Sequence, residues 1–250
     1  MIVIKHKDAI EKMASTAHAL QEVFFEVKKH IEAGVSTLHL NDIIEKGLCS
    51  RKLVSQSKGY MGYKHASCIS INDEVVHGVP SPENLLKTGD LVKIDVCVKR
   101  DGYCADMARM FVVGELVDKK IERFMKTAQL ALDKGIECAR VGTRLSDISI
   151  AIQNEVEKQN FGIVRDFAGH GIGQSMHEDP EVLNYGVAGK GPILRKGMTL
   201  AIEPMITMGN YDVYVANDGW TVRTVDKSLA AHVEDTIVIT DENPIVLTRM

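Results

Sequence analysis

The chain has 250 residues, 45% of them hydrophobic and 26% charged, and carries a net charge of −4. That is an ordinary globular composition with enough chain for a substantial core, and its acidic balance argues against nucleic acid as the main partner, because phosphate binding needs clustered Lys and Arg. No apolar run approaches the roughly 20 residues that span a bilayer, so no membrane partner is expected.

In chain order, Met1 to Lys12 carries Lys5, Lys7, Asp8, Glu11 and Lys12 with no apolar signal core, which does not read as a secretory leader. Ile10, Met13, Ala17, Leu20, Phe24, Val27 and Ile31 recur at three- and four-residue steps and predict a long amphipathic helix over 8–32, with Gly34 as its stop. A second helix is expected over 37–50. Strands follow at Cys68–Ile71, Leu91–Val98 and Tyr103–Val113, then helices at 118–139 and 145–159, a surface loop at 186–191, and strands at 163–167, 198–206 and 233–240. Cys49, Cys68, Cys97, Cys104 and Cys138 form an odd set without C-x-x-C spacing, which indicates free thiols in a reducing, cytoplasmic setting and argues against a structural zinc.

The order of elements repeats. The run from Gly89 to Asp95 lines up with that from Gly197 to Glu203, each leading from a glycine through a strand to an acid, and Leu40-Asn41-Asp42-Ile43 echoes Leu145-Ser146-Asp147-Ile148. The expectation is one α+β domain over 1–250, built from two helix–helix–strand modules with halves of about 1–115 and 116–250.

Four acids and one imidazole, Asp95, Asp106, His170, Glu203 and Glu234, sit in segments that read as buried. A buried ionised acid needs a counter-charge, and no Lys or Arg pattern beside them supplies it. Asp101-Gly102 marks a hairpin turn. With a loop of those two residues Asp95 faces position 108 and is diagonal to Asp106; with a 99–102 loop it faces Asp106 directly. Either register puts both carboxylates on one face within about 5–8 Å. Two divalent ions would balance four carboxylates, and an oxygen set with one nitrogen suits hard or borderline ions such as cobalt, manganese, iron or zinc. Such a pair lowers the pKa of a shared water and points to hydrolysis of an acyl or phosphoryl bond. His77, His177 and Trp220 lie beside turns and can reach a cleft.

Taken together, these motifs make the sequence resemble the bacterial-type, type I methionine aminopeptidases over nearly its whole length. The resemblance rests on Ser70-Ile71-Asn72 through His77-Gly78-Val79-Pro80, Asp95 with Asp106, Gly169-His170-Gly171-Ile172-Gly173 with His177-Glu178, Glu203-Pro204, Asp218-Gly219-Trp220 and Glu234. It implies the pita-bread fold, a pseudo-two-fold arrangement of helix–helix–strand modules around an antiparallel curved sheet. It implies removal of the initiator methionine from nascent proteins when the second residue is small, by metal-activated water attack on the first peptide bond, in a monomer working transiently near the ribosome. By the likeness, Asp95, Asp106, His170, Glu203 and Glu234 bind two divalent metal ions and Glu203 also takes the water proton. His77 contacts the scissile amide nitrogen, and His177 polarises the carbonyl. Tyr60, Tyr63, Cys68, Met176 and Trp220 match positions that enclose the methionine side chain. Met176 stands where a Phe is frequent, His232 and Asp235 flank Glu234 where Gln and His are common, and Ala230 replaces a Ser that in some members lies near a monovalent cation.

Two other readings compete. Proline-specific peptidases of the same fold usually carry a large N-terminal domain, for which the sequence has no room. A binding protein that kept the fold and lost catalysis typically lacks the metal ligands, and all five are present here.

Overall fold

The computed structural model describes residues 1–116 and 118–249. Helix α1 (Lys7–Lys28) buries Met13, Ala17, Leu20, Phe24 and Val27 along one stripe, as their spacing requires. It stops short of the expected 32. Residues 29–34 leave the helix, and Gly34 turns the chain at φ 89°. Ile31 still packs on the core from outside the helix, which is why the helical spacing runs on in the sequence. Helix α2 (Thr37–Ser50) is capped by Ser36, whose hydroxyl accepts the His39 N–H at 3.2 Å. Strands β1 (Val54–Ser55), β2 (Cys68–Ile71), β3 (Leu91–Arg100) and β4 (Tyr103–Val112) complete the first half.

Helix α3 (Lys119–Cys138), capped by Asp118, and helix α4 (Leu145–Glu157) follow, near their expected bounds. The strands after them are β5 (Gly162–Ile163), β6 (Gly169–Gly171), β7 (Glu178–Val182), β8 (Thr199–Ile202), β9 (Met205–Thr207), β10 (Val213–Val215), β11 (Val222–Thr224), β12 (Ala230–His232), β13 (Glu234–Val238) and β14 (Ile245–Val246). An antiparallel sheet runs β1-β3-β4-β13-β8-β6-β7, with β2 also on β3 and β14 on β13.

The helices pack on this sheet in two pairs. α1 and α2 meet Val92, Ile94, Val96 and Val98 of β3. α3 and α4 meet Leu200 and Ile202 of β8 and Ile237 of β13. Side chains alternate across a strand, so Asp95 and Cys97 must point to the face away from the helices, as must Ala201 and Glu203. That parity creates the polar centre: β3 gives Val92, Ile94, Val96 and Val98 to one helix pair and Asp95 to the opposite side, and β13 gives Ile237 to the other pair and Glu234 to the opposite side.

Several strand expectations change. The segment 198–206 is two strands, broken at Glu203-Pro204, because proline has no N–H for the ladder. Of 163–167 only Ile163 lies in a strand. Strands β6 and β7 are short and rich in glycine or charge, and β10, β11 and β14 are too brief to carry a periodic signal. The stretch 186–191 is free of helix and strand, as expected. All five cysteines are free. Among the described residues, no helix is long and apolar enough to cross a membrane.

Candidate metal centre and active site

The β3–β4 hairpin settles the register. Asp101 and Gly102 both take positive φ, 51° and 84°, the conformation of a two-residue type I′ turn. Asp95 therefore pairs with Ala108 and Cys97 with Asp106, the diagonal arrangement. On the next strand Glu234 pairs with Ala108, and across β8 His170 pairs with Ala201. Four neighbouring segments thus aim their polar side chains at one point. Asp106 is held by Thr236, whose Oγ1 accepts the Asp106 N–H at 3.0 Å and donates to the Asp106 carbonyl at 2.8 Å. Glu203 ends β8, and its carbonyl accepts from Asn184 Nδ2 at 3.0 Å.

Ligand atoms of Asp106, His170 and Glu234 lie within 4.8 Å of one another. His170 Nε2 is 3.6 Å from Glu203 Oε1. After burial itself, the charge of Asp106 is the largest influence on the Asp95 carboxyl. Burial pushes all four acids upward, and repulsion from neighbouring carboxylates adds to it at Asp95, Asp106 and Glu234: Asp106 rises to about 7 and Glu203 to about 8, with Asp95 and Glu234 well above the carboxylate range. Lys93 is buried on the same face of β3, but its ammonium donates to the Asn72 carbonyl at 2.9 Å and faces Glu74 and Asp73. Asp235, on the other face of β13, is held by Arg109 at 2.7 Å and by Arg249. These three cations thus serve other groups than the cluster. Asp106 Oδ1 and Glu234 Oε1 are buried with no hydrogen-bond partner, although buried acceptors are normally satisfied. Orphaned carboxylate oxygens facing an imidazole fit a divalent ion.

A cavity of about 670 Å³ opens over this cluster. All twelve residues singled out in the sequence line it: the four acids and one imidazole above, His77, His177, Tyr60, Tyr63, Cys68, Met176 and Trp220. His77 holds an unusual φ of 59°, and next to it Gly78 has no room for a side chain, since a Cβ would lie 2.3 Å from the Ile69 carbonyl oxygen. Strain of this kind persists where the surroundings fix it, often at functional positions. Burial lowers the His77 imidazole to about 4 and lowers that of His177 as well, so both are neutral at pH 7. Tyr63 packs edge-on to Trp220 at 5.0 Å and donates its hydroxyl to the Ser67 carbonyl at 3.0 Å. Tyr60 meets His177 edge-on at 5.7 Å.

Among the lining residues with no role expected from the sequence, His232 and Phe167 bear directly on the site. His232 Nε2 lies 3.3 Å from Glu203 Oε2; its i, i+2 spacing to Glu234 was the available signal. Phe167 packs edge-on to His77 at 5.6 Å, and it carried no signal because its segment read as a strand.

The acid cluster makes metal-free stability depend on pH. The folded protein retains carboxyl protons that the unfolded chain releases near pH 4, so this contribution falls as pH rises to about 8. Below about 6.5 the buried imidazoles of His77, His170 and His232, lowered to about 4, act in the opposite sense, and above about 7 the buried Lys93, lowered to about 7, does so too, one group against four acids. The net loss is therefore expected between about pH 6.5 and 8. Thermal unfolding with EDTA should show a midpoint that falls across that window, and manganese should raise the midpoint more at pH 8 than at pH 6.5. A midpoint indifferent to both pH and metal would contradict the centre.

Residues 11–241 match metallopeptidase family M24. The chain belongs to that family. It is 43% identical to the methionine aminopeptidase of Clostridium acetobutylicum over 99% of both chains. It superposes on the crystal structure of methionine aminopeptidase from Thermotoga maritima with a TM-score of 0.97, at 42% identity and over the full length of both. The pita-bread fold and the likeness to type I members are thereby shown, and family membership with the Asp106–His170–Glu234 cluster supports divalent metal use. Prolidase from Pyrococcus furiosus matches with a TM-score of 0.79 at 21% identity, covering 99% of this chain and 66% of that one, a likeness of fold alone.

Proposed function

We propose that this protein is a methionyl aminopeptidase that removes the N-terminal initiator methionine from nascent polypeptides whose second residue is small. The observation that carries this reading is the convergence of acids, imidazoles and an aromatic–sulfur pocket on one cavity. Asp95, Asp106, His170, Glu203 and Glu234 would hold two divalent ions, of cobalt, manganese, iron or zinc. Bound there, such ions supply Lewis-acid polarisation of the substrate carbonyl and a lowered pKa for water.

The remaining work falls to the chain. Glu203 accepts the proton of the attacking water on its carboxylate. His177, neutral and at the open side of the cavity, donates a ring N–H to the carbonyl oxygen as negative charge develops there. His77 stands at the scissile amide nitrogen. Tyr60, Tyr63, Cys68, Met176 and Trp220 enclose the substrate methionine, and an unbranched thioether suits walls of aromatic rings and sulfur. A single domain with halves of about 1–115 and 116–250 fits this arrangement: Asp95 on β3 and Asp106 on β4 come from the first half, Glu203 just after β8 and Glu234 on β13 from the second. A nascent-chain substrate fits action in the cytoplasm close to the ribosome, and the reading takes the protein as a monomer.

The test is hydrolysis of Met-Ala-Ser against Ala-Pro-Ala, with and without a chelator. Metal-dependent cleavage of the first alone is expected. Cleavage of only the second would move the protein to the proline-specific peptidases, and turnover of neither under several metals would favour a binding module.

A further inference from the structure

Lys5 precedes α1 and is remote in sequence from every residue of the cavity, yet its side chain is only 3% exposed. Lysine is rarely buried to this extent without a partner. Its backbone N–H donates to the Gly197 carbonyl at 2.7 Å, which ties the N-terminal segment to the turn before β8. Its ammonium donates to Glu178 Oε2 at 2.6 Å and to the Val3 carbonyl at 3.2 Å. Glu178 follows His177 directly and lines the cavity.

The ion pair organises the loop that carries His177. Glu178 Oε1 accepts the Ser175 N–H at 3.2 Å. Gly173 donates to the Ser175 carbonyl at 3.1 Å, and its own carbonyl accepts from Cys104 N at 2.7 Å. Gly173 sits directly against the pair: a Cβ there would lie 2.4 Å from Lys5 Cε and 2.7 Å from Glu178 Oε1. Burial opposes ionisation of Glu178, but the bonds from Lys5 and Ser175 hold its carboxyl below the usual range. Without the ammonium, that carboxylate must turn to solvent or take a proton. Either outcome frees the Ser175 N–H and loosens the backbone on which His177 stands, whose exposed ring meets Tyr60 and His170 edge-on.

We propose that Lys5 is a positioning residue for catalysis, acting through Glu178 to fix the loop that presents His177 to the substrate carbonyl. The inference rests on the role given to His177 above. A displacement of about 1 Å from a remote change can cost on the order of 10²-fold in rate, so K5M is expected to lower kcat about 10- to 100-fold on Met-Ala-Ser. KM should change less than about twofold, and manganese affinity measured by calorimetry should be unchanged. K5R, which keeps a donor and the charge, should recover most of kcat. Residues that act as one unit are non-additive, so in an H177A background K5M should cost less than about twofold. Should K5M not fold, E178Q breaks the pair from the other side and is expected to show the same loss and the same cancellation.

Parental kinetics in K5M, or in E178Q where K5M does not fold, would overturn the proposal. So would an equal loss with and without His177, or a loss of manganese affinity matching the loss of rate. H177A alone tests the underlying assignment: parental activity there removes the role of His177 itself, whereas a slow H177A beside a fast K5M removes only Lys5.

Discussion

Asp106→Asn is expected to abolish turnover and strip bound metal while leaving the metal-free fold as stable as before, or more so. Asp106 stands at the middle of the cluster: its charge acts on both Asp95 and Glu234, and Glu203 acts on it in turn. Its Oδ1 is buried without a partner. Asparagine has nearly the same shape, so packing survives and one of four mutually repelling acids is neutralised. In the metal-free protein that relieves repulsion. With metal present it removes a charged ligand, and transition-state stabilisation of several kcal/mol goes with it. At about 1.4 kcal/mol per tenfold, kcat/KM should fall by more than about 10³-fold. Elemental analysis and unfolding with EDTA separate the two effects. Unchanged metal stoichiometry would count against the ligand role, and a metal-free protein much less stable than the parent would mean that Asp106 serves the fold instead.

How much of this was legible in the sequence depended on whether a signal was local. The Asp101-Gly102 turn and the alternation of β3 and β4 put Asp95 and Asp106 on one face from the sequence alone, and the observed pairing of Asp95 with Ala108 is one of the two registers allowed. The choice between them needed the positive φ of Asp101. His170 and Glu203 were legible as residue types in unusual settings, a glycine-flanked imidazole and an acid before proline. Their convergence was not, because β6 and β8 come together only through long-range pairing. Strand β6 has three residues, too few for any period. The partners of Asp235 were also invisible: Arg109 and Arg249 reach it from β4 and the end of the chain, and sequence spacing says nothing about such contacts. Lys5 is one of several charges in a polar N-terminal stretch, and nothing in its sequence neighbours announces that it is buried.

His177→Ala is expected to give the second largest effect and the opposite pattern: metal retained, chemistry slowed. The residue is exposed, with its ring 4.5 Å from that of His170 and 5.7 Å from that of Tyr60, and it lies outside the Asp106–His170–Glu234 cluster. Removing it opens no core cavity and leaves no buried charge alone, so stability should change little. Desolvation keeps its imidazole neutral at pH 7, with one N–H to donate and no proton to surrender first. An oxyanion donor of this kind is worth on the order of 10²-fold or more in kcat, about 2.7 kcal/mol. The loss should fall on kcat and on kcat/KM alike, since the contact strengthens only as charge develops on the carbonyl oxygen. A rise in KM with kcat intact would place His177 in ground-state binding beside Tyr60, and unaltered kinetics would take it out of the mechanism.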